Sequence, residues 1–344
     1  MSTITIGVIG AGRAGLIHAR AFLSHVTDAS LVGIADPSEK ARTAASDELG
    51  IPTFEDHHQL LELADAAVIV APTKFHRDIA VEAAHAGCHV LCEKPLAMTL
   101  QQCQEIIAAA AHNGVKLQVG FMRRFDSGFQ RAKSMVDAGE IGEIVSIKSL
   151  THGPSTPHPW MYDIGASNGP LAEVSSHDID TIRWFTGSEV SSLYALAGNY
   201  RCPEARESHP DFYDSVIVNA RMSNGSLALI DGAQGVRYGY DSRVEILGTH
   251  GRIDIGDLHA DKVTLHRSDG LATRLTTASW RTLFHEAYIK EDQAFVHAIL
   301  NDEEPSVTGT DGLAAVAVVN AGNESIRTGK VVTLPSHSPT TLPL

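Results

Sequence analysis

The first residues able to do chemistry are Gly10, Ala11, Gly12, Arg13, Ala14 and Gly15, spaced as G-x-G-x-x-G. The run follows a β-branched apolar stretch and opens a helical one, the context in which this spacing holds a pyrophosphate. Gly10 permits a tight turn, Gly12 leaves room for phosphate at the backbone, and Gly15 lets helix and strand approach. Exposed N–H groups and the positive helix end then face the anion. Asp36 closes the second apolar run, roughly 20 residues further on, where a carboxylate accepts hydrogen bonds from ribose hydroxyls and repels a 2′-phosphate. Pro37 and Ser38 follow, with no arginine to receive that phosphate. NAD is therefore expected over NADP, with Arg13 a small counterweight.

Three later strand ends carry polar residues, and chemistry in such folds occurs at the carboxyl ends of strands. They are Ala71-Pro72-Thr73-Lys74-Phe75-His76, Glu93-Lys94-Pro95 and Met122-Arg123-Arg124-Phe125. Ala71, Thr73, His76, Glu93 and Lys94 are the candidates for the rest of the cofactor site. By itself, a lysine at a strand end is as often merely solvated.

The elements that must position these residues fall into two grammars. Ile4–Ile9, Leu31–Ala35, Ala67–Ala71, His89–Cys92 and Lys116–Phe121 read as strands buried on both faces. Ala14–Ser24, Ser38–Leu49, Phe75–Ala86 and Leu100–His112 have helical spacing. Thr99 is a plausible N-cap, and Gly87 and Gly114 stand at C-cap positions. Alternation of this kind means a parallel sheet with right-handed crossovers. After about residue 122 the pattern changes. Val216–Met222 with Ser226–Ile230, Val244–Leu247 with Arg252–Ile255, and Val263–His266 with Ala272–Leu275 read as hairpins in series, an antiparallel meander. One helix over Leu171–Phe185 should precede it, and helices near Ala287–Leu300 and Gly312–Arg327 should follow. The fold expected is an α/β Rossmann domain over 1–122 and an α+β domain with an open, predominantly antiparallel sheet over 123–344. An open sheet face calls for a cover, and a second copy of the chain is the usual one.

Composition narrows the partners. The formal charge is −14, which disfavours nucleic acid and anionic membranes. No apolar run is long enough to span a bilayer, and the start reads as a strand and not a signal peptide. Cys88, Cys92, Cys103 and Cys202 lack the spacing of a zinc site, so no metal is expected. Reduced core thiols and a cytoplasmic location fit best.

At this point the chain resembles the glucose–fructose oxidoreductase / inositol dehydrogenase (Gfo/Idh/MocA) family over nearly its whole length. The matching runs are Gly10–Gly15, Glu93-Lys94-Pro95, Gly120-Phe-Met-Arg-Arg-Phe-Asp126, His177-Asp-Ile-Asp180, Tyr238-Gly-Tyr-Asp241 and Gly248–Ile253. Within the family it looks most like the inositol dehydrogenases. The resemblance implies NAD-dependent oxidation of a ring hydroxyl of a polyol or sugar. Lys94 would stabilise the oxygen and His177 would act as general base. It also implies a Lys94–Pro95 bond that is cis, His76 near the nicotinamide, and a homo-oligomer, a tetramer or dimer. At one position the chain departs from the pattern: the family aspartate four residues before the histidine is Glu173. Spacing i, i+4 puts Glu173 and His177 on one helix face. For the polyol, Arg123, Trp160, Tyr162, Asp163 and Tyr240 are the candidates, the middle three in the loop His152–Asn168. Trp160 and Tyr162 fit a subunit contact equally well. Asp180 and Arg183 read as structural.

Two other functions share these features. An NAD-dependent glycosidase would pass through a transient keto sugar and return the hydride. A dinucleotide sensor would need no catalytic residues, and the presence of Lys94 and His177 argues against it. The runs around Arg123 and Tyr240 favour the dehydrogenase over the glycosidase.

Overall fold

The computed structural model describes residues 3–335. Residues 1–2, and the 336–344 tail that the sequence division includes in the second domain, lie outside the described residues. The chain divides into two compact units: 1–126 with 284–316, and 127–283 with 317–344.

The first unit is built on β1 (Ile4–Ile9), α1 (Arg13–Ser24), β2 (Ala29–Ala35), α2 (Glu39–Leu49), β3 (Thr53–Phe54), α3 (His57–Leu61), β4 (Ala66–Ile69), α4 (His76–His85), β5 (His89–Glu93), α5 (Leu100–His112) and β6 (Leu117–Gly120). The strands form one sheet in the order β3-β2-β1-β4-β5-β6, all parallel. The order reverses between β1 and β4, the place where such sheets bind ligands. Every residue of β4 and β6 is buried, as a sheet covered on both faces requires. Local signals set the helix ends. Ser38 caps α2 through the Ala41 N–H, and Thr99 caps α5 through the Gln102 N–H. Gly87 and Gly114 follow α4 and α5 with positive φ. β3 and α3 are too short for periodicity to reveal.

The second unit contributes α6 (Ser127–Asp137), β7 (Ile144–Gly153), α7 (Ile164–Ser167), α8 (Gly169–Glu173), α9 (Ser176–Thr186), β8 (Val190–Gly198), β9 (Ser215–Met222), β10 (Leu227–Gln234), β11 (Asp241–Gly248), β12 (Arg252–Ile255), β13 (His259–His266), β14 (Ala272–Thr276) and α10 (Trp280–Leu283). The chain continues into α11 (His285–Leu300), α12 (Gly309–Thr328) and β15 (Val332–Thr333). The main sheet runs β12-β11-β7-β10-β9-β8-β15. All its pairs are antiparallel except β7 with β10. It is therefore open and mixed, mostly antiparallel.

Three sequence expectations need correction here. The hairpins β9–β10 and β11–β12 form as expected, but they are not consecutive in a meander. β7 inserts between β10 and β11 and pairs with both. The third hairpin, β13–β14, is a separate two-stranded sheet on which Val263 and Leu275 are exposed. The single helix expected over Leu171–Phe185 is two, α8 and α9. The Ser175 N–H reaches back five residues to the Pro170 carbonyl at 3.1 Å, and the Ile179 N–H starts a new ladder on Ser175 at 2.9 Å. Ser175 also occupies the space above Gly232 of β10 that a side chain there would fill.

The return of the chain was not legible either. Phe295 and Val296 of α11 sit in one buried cluster with Ile6, Val8, Phe22 and Ile34. The Val119 N–H of β6 donates to the Val307 carbonyl at 3.0 Å. Residues 284–316, expected in the second domain, thus complete the core of the first.

Candidate active site

In the first unit the glycine-rich turn joins β1 to α1. Gly10 has φ of 112° and abuts the Val70 backbone. A side chain at Gly15 would run into the Gly10 carbonyl. Around Gly12 the situation is the opposite: a Cβ there would meet nothing within 4 Å. Gly12 is also the N-cap of α1 and offers no side-chain acceptor. Two glycines therefore close the turn and the middle one leaves an open cradle at an uncapped helix start. That suits a phosphate group.

Asp36 is tied to the same turn. Its Oδ2 accepts the Ala11 N–H at 2.8 Å and its Oδ1 the Ser38 N–H at 2.8 Å. The carboxylate is fixed beside the cradle, with acceptor capacity left for ribose hydroxyls. The fold adds a cation that the sequence pattern did not place. Arg42 Nη1 donates to the Asp36 carbonyl at 2.8 Å, and its Nη2 lies 3.6 Å from Glu55. Arg13 and Ala14 begin α1, with Arg13 exposed.

The strand ends of β4 and β5 are fastened to each other. His76 is buried, with Nε2 at 2.7 Å from the Ala71 carbonyl and Nδ1 at 2.9 Å from the Pro95 carbonyl. Burial lowers its pKa despite those two carbonyls, so a neutral ring donates to one of them at a time. His76 is a clasp between two loops. Thr73 is buried in the short turn after β4. The Lys94–Pro95 bond is cis. Lys94 is half-buried, and its N–H donates to Glu93 Oε2 at 2.9 Å. Glu93 is itself buried and faces His18 Nε2 at 3.5 Å. Arg123, in the turn after β6, is 1% exposed. Its guanidinium lies 5.6 Å from the centre of the Phe284 ring, a cation–π contact.

In the second unit His177 is buried in the first turn of α9. The neighbouring Asp178 is also buried and accepts Ser149 Oγ at 2.6 Å and Thr151 Oγ1 at 2.9 Å, both from β7. Those bonds fix the turn that carries His177. Glu173 ends α8, so the broken ladder described above separates it from His177, and a shared helix face no longer relates the two. Trp160 is 41% exposed. The Tyr162 hydroxyl donates to Glu204 Oε1 at 2.6 Å and its ring packs on Phe212, centres 4.8 Å apart, in a small core with Cys202 and Ala205. Asp163 caps α7 through the Gly165 N–H. Tyr240 is buried, its N–H on the Thr277 carbonyl at 2.7 Å. Asp180 and Arg183 are buried, Arg183 on Glu189 at 2.6 Å.

Sequence spacing missed His18, Asp178 and Asp292. Asp292 Oδ1 lies 2.7 Å from His18 Nδ1, but 274 residues separate the two in the chain. All four cysteines are buried free thiols. Among the described residues no helix is long and apolar enough to cross a membrane.

The parallel sheet, the open glycine turn and Asp36 define a dinucleotide-dependent enzyme with a lysine at a neighbouring strand end. The chain belongs to the GFO/IDH/MocA oxidoreductase family. Residues 4–121 match its NAD-binding Rossmann fold and residues 129–254 its C-terminal domain. The cofactor is accordingly NAD, and the protein is an NAD-dependent oxidoreductase. It is 34% identical to the scyllo-inositol 2-dehydrogenase (NAD(+)) of Bacillus subtilis, over 96% of each chain. It is 32% identical to the myo-inositol 2-dehydrogenase of Thermotoga maritima, over 96% of this chain and 98% of that one. The crystal structure of scyllo-inositol dehydrogenase from Lactobacillus casei with bound NAD(H) and scyllo-inositol superposes with a TM-score of 0.87. The two are 30% identical over 96% of this chain and 99% of the other.

Proposed function

We propose that the protein oxidises a secondary ring hydroxyl of an inositol, or of a closely related cyclic polyol, to the ketone. The full-length similarity to inositol dehydrogenases, together with Lys94 at the end of β5, carries this reading. Bound NAD supplies the nicotinamide carbon that accepts the hydride. Lys94 donates a hydrogen bond to the substrate oxygen and stabilises its developing negative charge. His177 takes the hydroxyl proton, as an imidazole can near neutral pH. Glu173 supplies a carboxylate to support the imidazolium. Arg123, Trp160, Asp163 and Tyr240 contribute polar and aromatic surface to the polyol.

The second unit supports self-association. Leu196 of β8 and Ile217 of β9 are paired in register on the open sheet face, 57% and 37% exposed. A second copy would cover them. Buried free thiols support a reducing, cytoplasmic setting.

The test is NADH production with free NAD and a panel of inositols, pyranoses and simple glycosides. Steady NADH from an inositol is expected. Sugar release from a glycoside with no net NADH would overturn the dehydrogenase reading in favour of a glycosidase.

A further inference from the structure

Beneath the cofactor turn, three elements of the first unit bring charged side chains together in the core. α1 supplies His18, α11 supplies Asp292 and the end of β5 supplies Glu93. His18 and Asp292 are both 0% exposed. His18 Nδ1 lies 2.7 Å from Asp292 Oδ1, and His18 Nε2 lies 3.5 Å from Glu93 Oε1. The His18 and Tyr288 rings also meet in a T-shaped contact, centres 5.3 Å apart. The chain of contacts then leaves the core, because the other oxygen of Glu93 accepts the Lys94 N–H.

The backbone makes room for this arrangement. Gly120 pairs with Glu93 across β5 and β6. A Cβ at Gly120 would lie 3.0 Å from the Glu93 carboxyl carbon, so glycine there leaves the Glu93 side chain room to fold over its neighbour. Beyond Lys94, the Pro95 carbonyl is held by His76. Lys94 is therefore fastened on both sides, before it through Glu93 and after it through His76.

The geometry points to His18 and Asp292 as positioning residues for Lys94, acting through Glu93. This rests on the reading that Lys94 contacts the substrate oxygen. Asp292 holds His18 in one ring orientation, and the charge on His18 holds Glu93 in the rotamer that grips the Lys94 amide. The same His18 lies one turn into the helix whose start cradles the cofactor. The pair thus sets Lys94 relative to that turn. A displacement of about 1 Å at a reacting centre costs roughly a hundredfold in rate, which is the scale of effect available to a positioning pair.

The test compares wild type, Lys94→Met and Asp292→Asn in inositol oxidation and in NADH binding by fluorescence. Asparagine keeps the shape and an acceptor for His18 but removes the charge. In Asp292→Asn, kcat should fall about ten- to a hundredfold, with inositol KM and NADH Kd within about threefold of wild type. The deuterium isotope effect on kcat should rise, because misplacement of Lys94 slows the chemical step. An unchanged kcat, or a loss of NADH affinity parallel to the loss of kcat, would overturn the inference. Should Asp292→Asn fold poorly, His18→Gln/Asp292→Asn removes both charges of that pair together. That double variant should show the same kcat loss, and wild-type kcat in it overturns the inference. No wild-type activity, or activity indifferent to Lys94→Met, overturns the functional reading itself. Lys94-dependent activity that survives in Asp292→Asn overturns the positioning role alone.

Discussion

The first unit contains two groups in which histidine sits between carboxylates. One is the core group of His18, Asp292 and Glu93. The other lies at the start of α3, where the stacked rings of His57 and His58, centres 4.3 Å apart, stand between Asp56 and Glu82. Residue types and short contacts are alike: His57 Nε2 is 2.7 Å from Glu82, and His18 Nδ1 is 2.7 Å from Asp292. Burial differs. In the α3 group water screens each charge, and such pairs add little to stability. In the core group neither charge can be removed without stranding the other. Composition cannot separate the two groups. The surroundings decide which one the fold depends on.

The largest expected effect is on what the core group holds. Lys94→Met should reduce turnover by about a thousandfold, the upper range for losing one donor to a developing oxyanion. NAD affinity should stay within a few-fold. Unfolding in place of inactivation would show that Lys94 belongs to the framework and not to the chemistry. Stability measurements then contrast the two groups directly. Asp292→Ala leaves His18 charged and buried, and should cost about 3–5 kcal/mol in urea unfolding. His58→Gln, on the exposed group, should leave the unfolding midpoint within error. Equal losses from the two variants would break the comparison.

The contrast sharpens with pH. Burial by itself would lower the His18 pKa, but the facing carboxylates of Asp292 and Glu93 outweigh it and hold the value well above the ordinary one. Burial likewise raises Asp292, against the pull of His18. Both shifts mean that the folded pair keeps its proton to higher pH than the unfolded chain does. His18 is raised on folding, so its stabilisation is complete below the unfolded value of about 6.5 and is lost as pH rises through the folded one. The urea midpoint should therefore decline on the alkaline side of neutral, and Asp292→Asn should flatten that decline. A wild-type midpoint that rises over the same range would contradict the assignment.

The same distinction explains what could be read from the sequence. The glycine turn, Asp36, Thr99 and the strand ends were legible because their chemistry lies in contiguous residues and in backbone conformation. The parallel sheet followed from alternation along the first third of the chain. His18, Asp178 and Asp292 were not legible, since each takes its meaning from partners that only the fold brings near. Asp178, for example, depends on Ser149 and Thr151 of a strand that periodicity did not reveal. Tyr162 shows the opposite limit: its type suits a polyol, and only the fold sets its hydroxyl on Glu204 and its ring on Phe212. The helix α11 was recognised as a helix and assigned to the wrong unit, because helical spacing shows that one face is buried without showing against what.

A smaller effect is expected at Asp36. Asp36→Ala removes the carboxylate that receives the Ala11 and Ser38 amides, and with it the acceptor for ribose hydroxyls. NAD affinity should fall roughly ten- to a hundredfold, the range for hydrogen bonds to a charged group. NADP should lose less, so the preference narrows. An unchanged NAD/NADP ratio would confine Asp36 to holding the turn, with Arg42 then the residue to examine.

The smallest effect should come from Glu173→Asp. The helix break between α8 and α9 means that the reach of residue 173 is set by the turn through Val174 and Ser175, not by helical spacing. A chain kinked there can place a longer carboxylate where an unbroken helix would place a shorter one. If Glu173 supports the imidazolium of His177 from a distance, the loss of one methylene weakens that support without stranding a buried charge. kcat should then fall by only a few-fold, with the acid limb of the pH–rate profile, where the base must shed its proton, moved slightly to lower pH. Full inactivity in a folded variant would mean that the longer side chain is required in the chemical step. An identical pH profile would mean that Glu173 does not act through His177 at all.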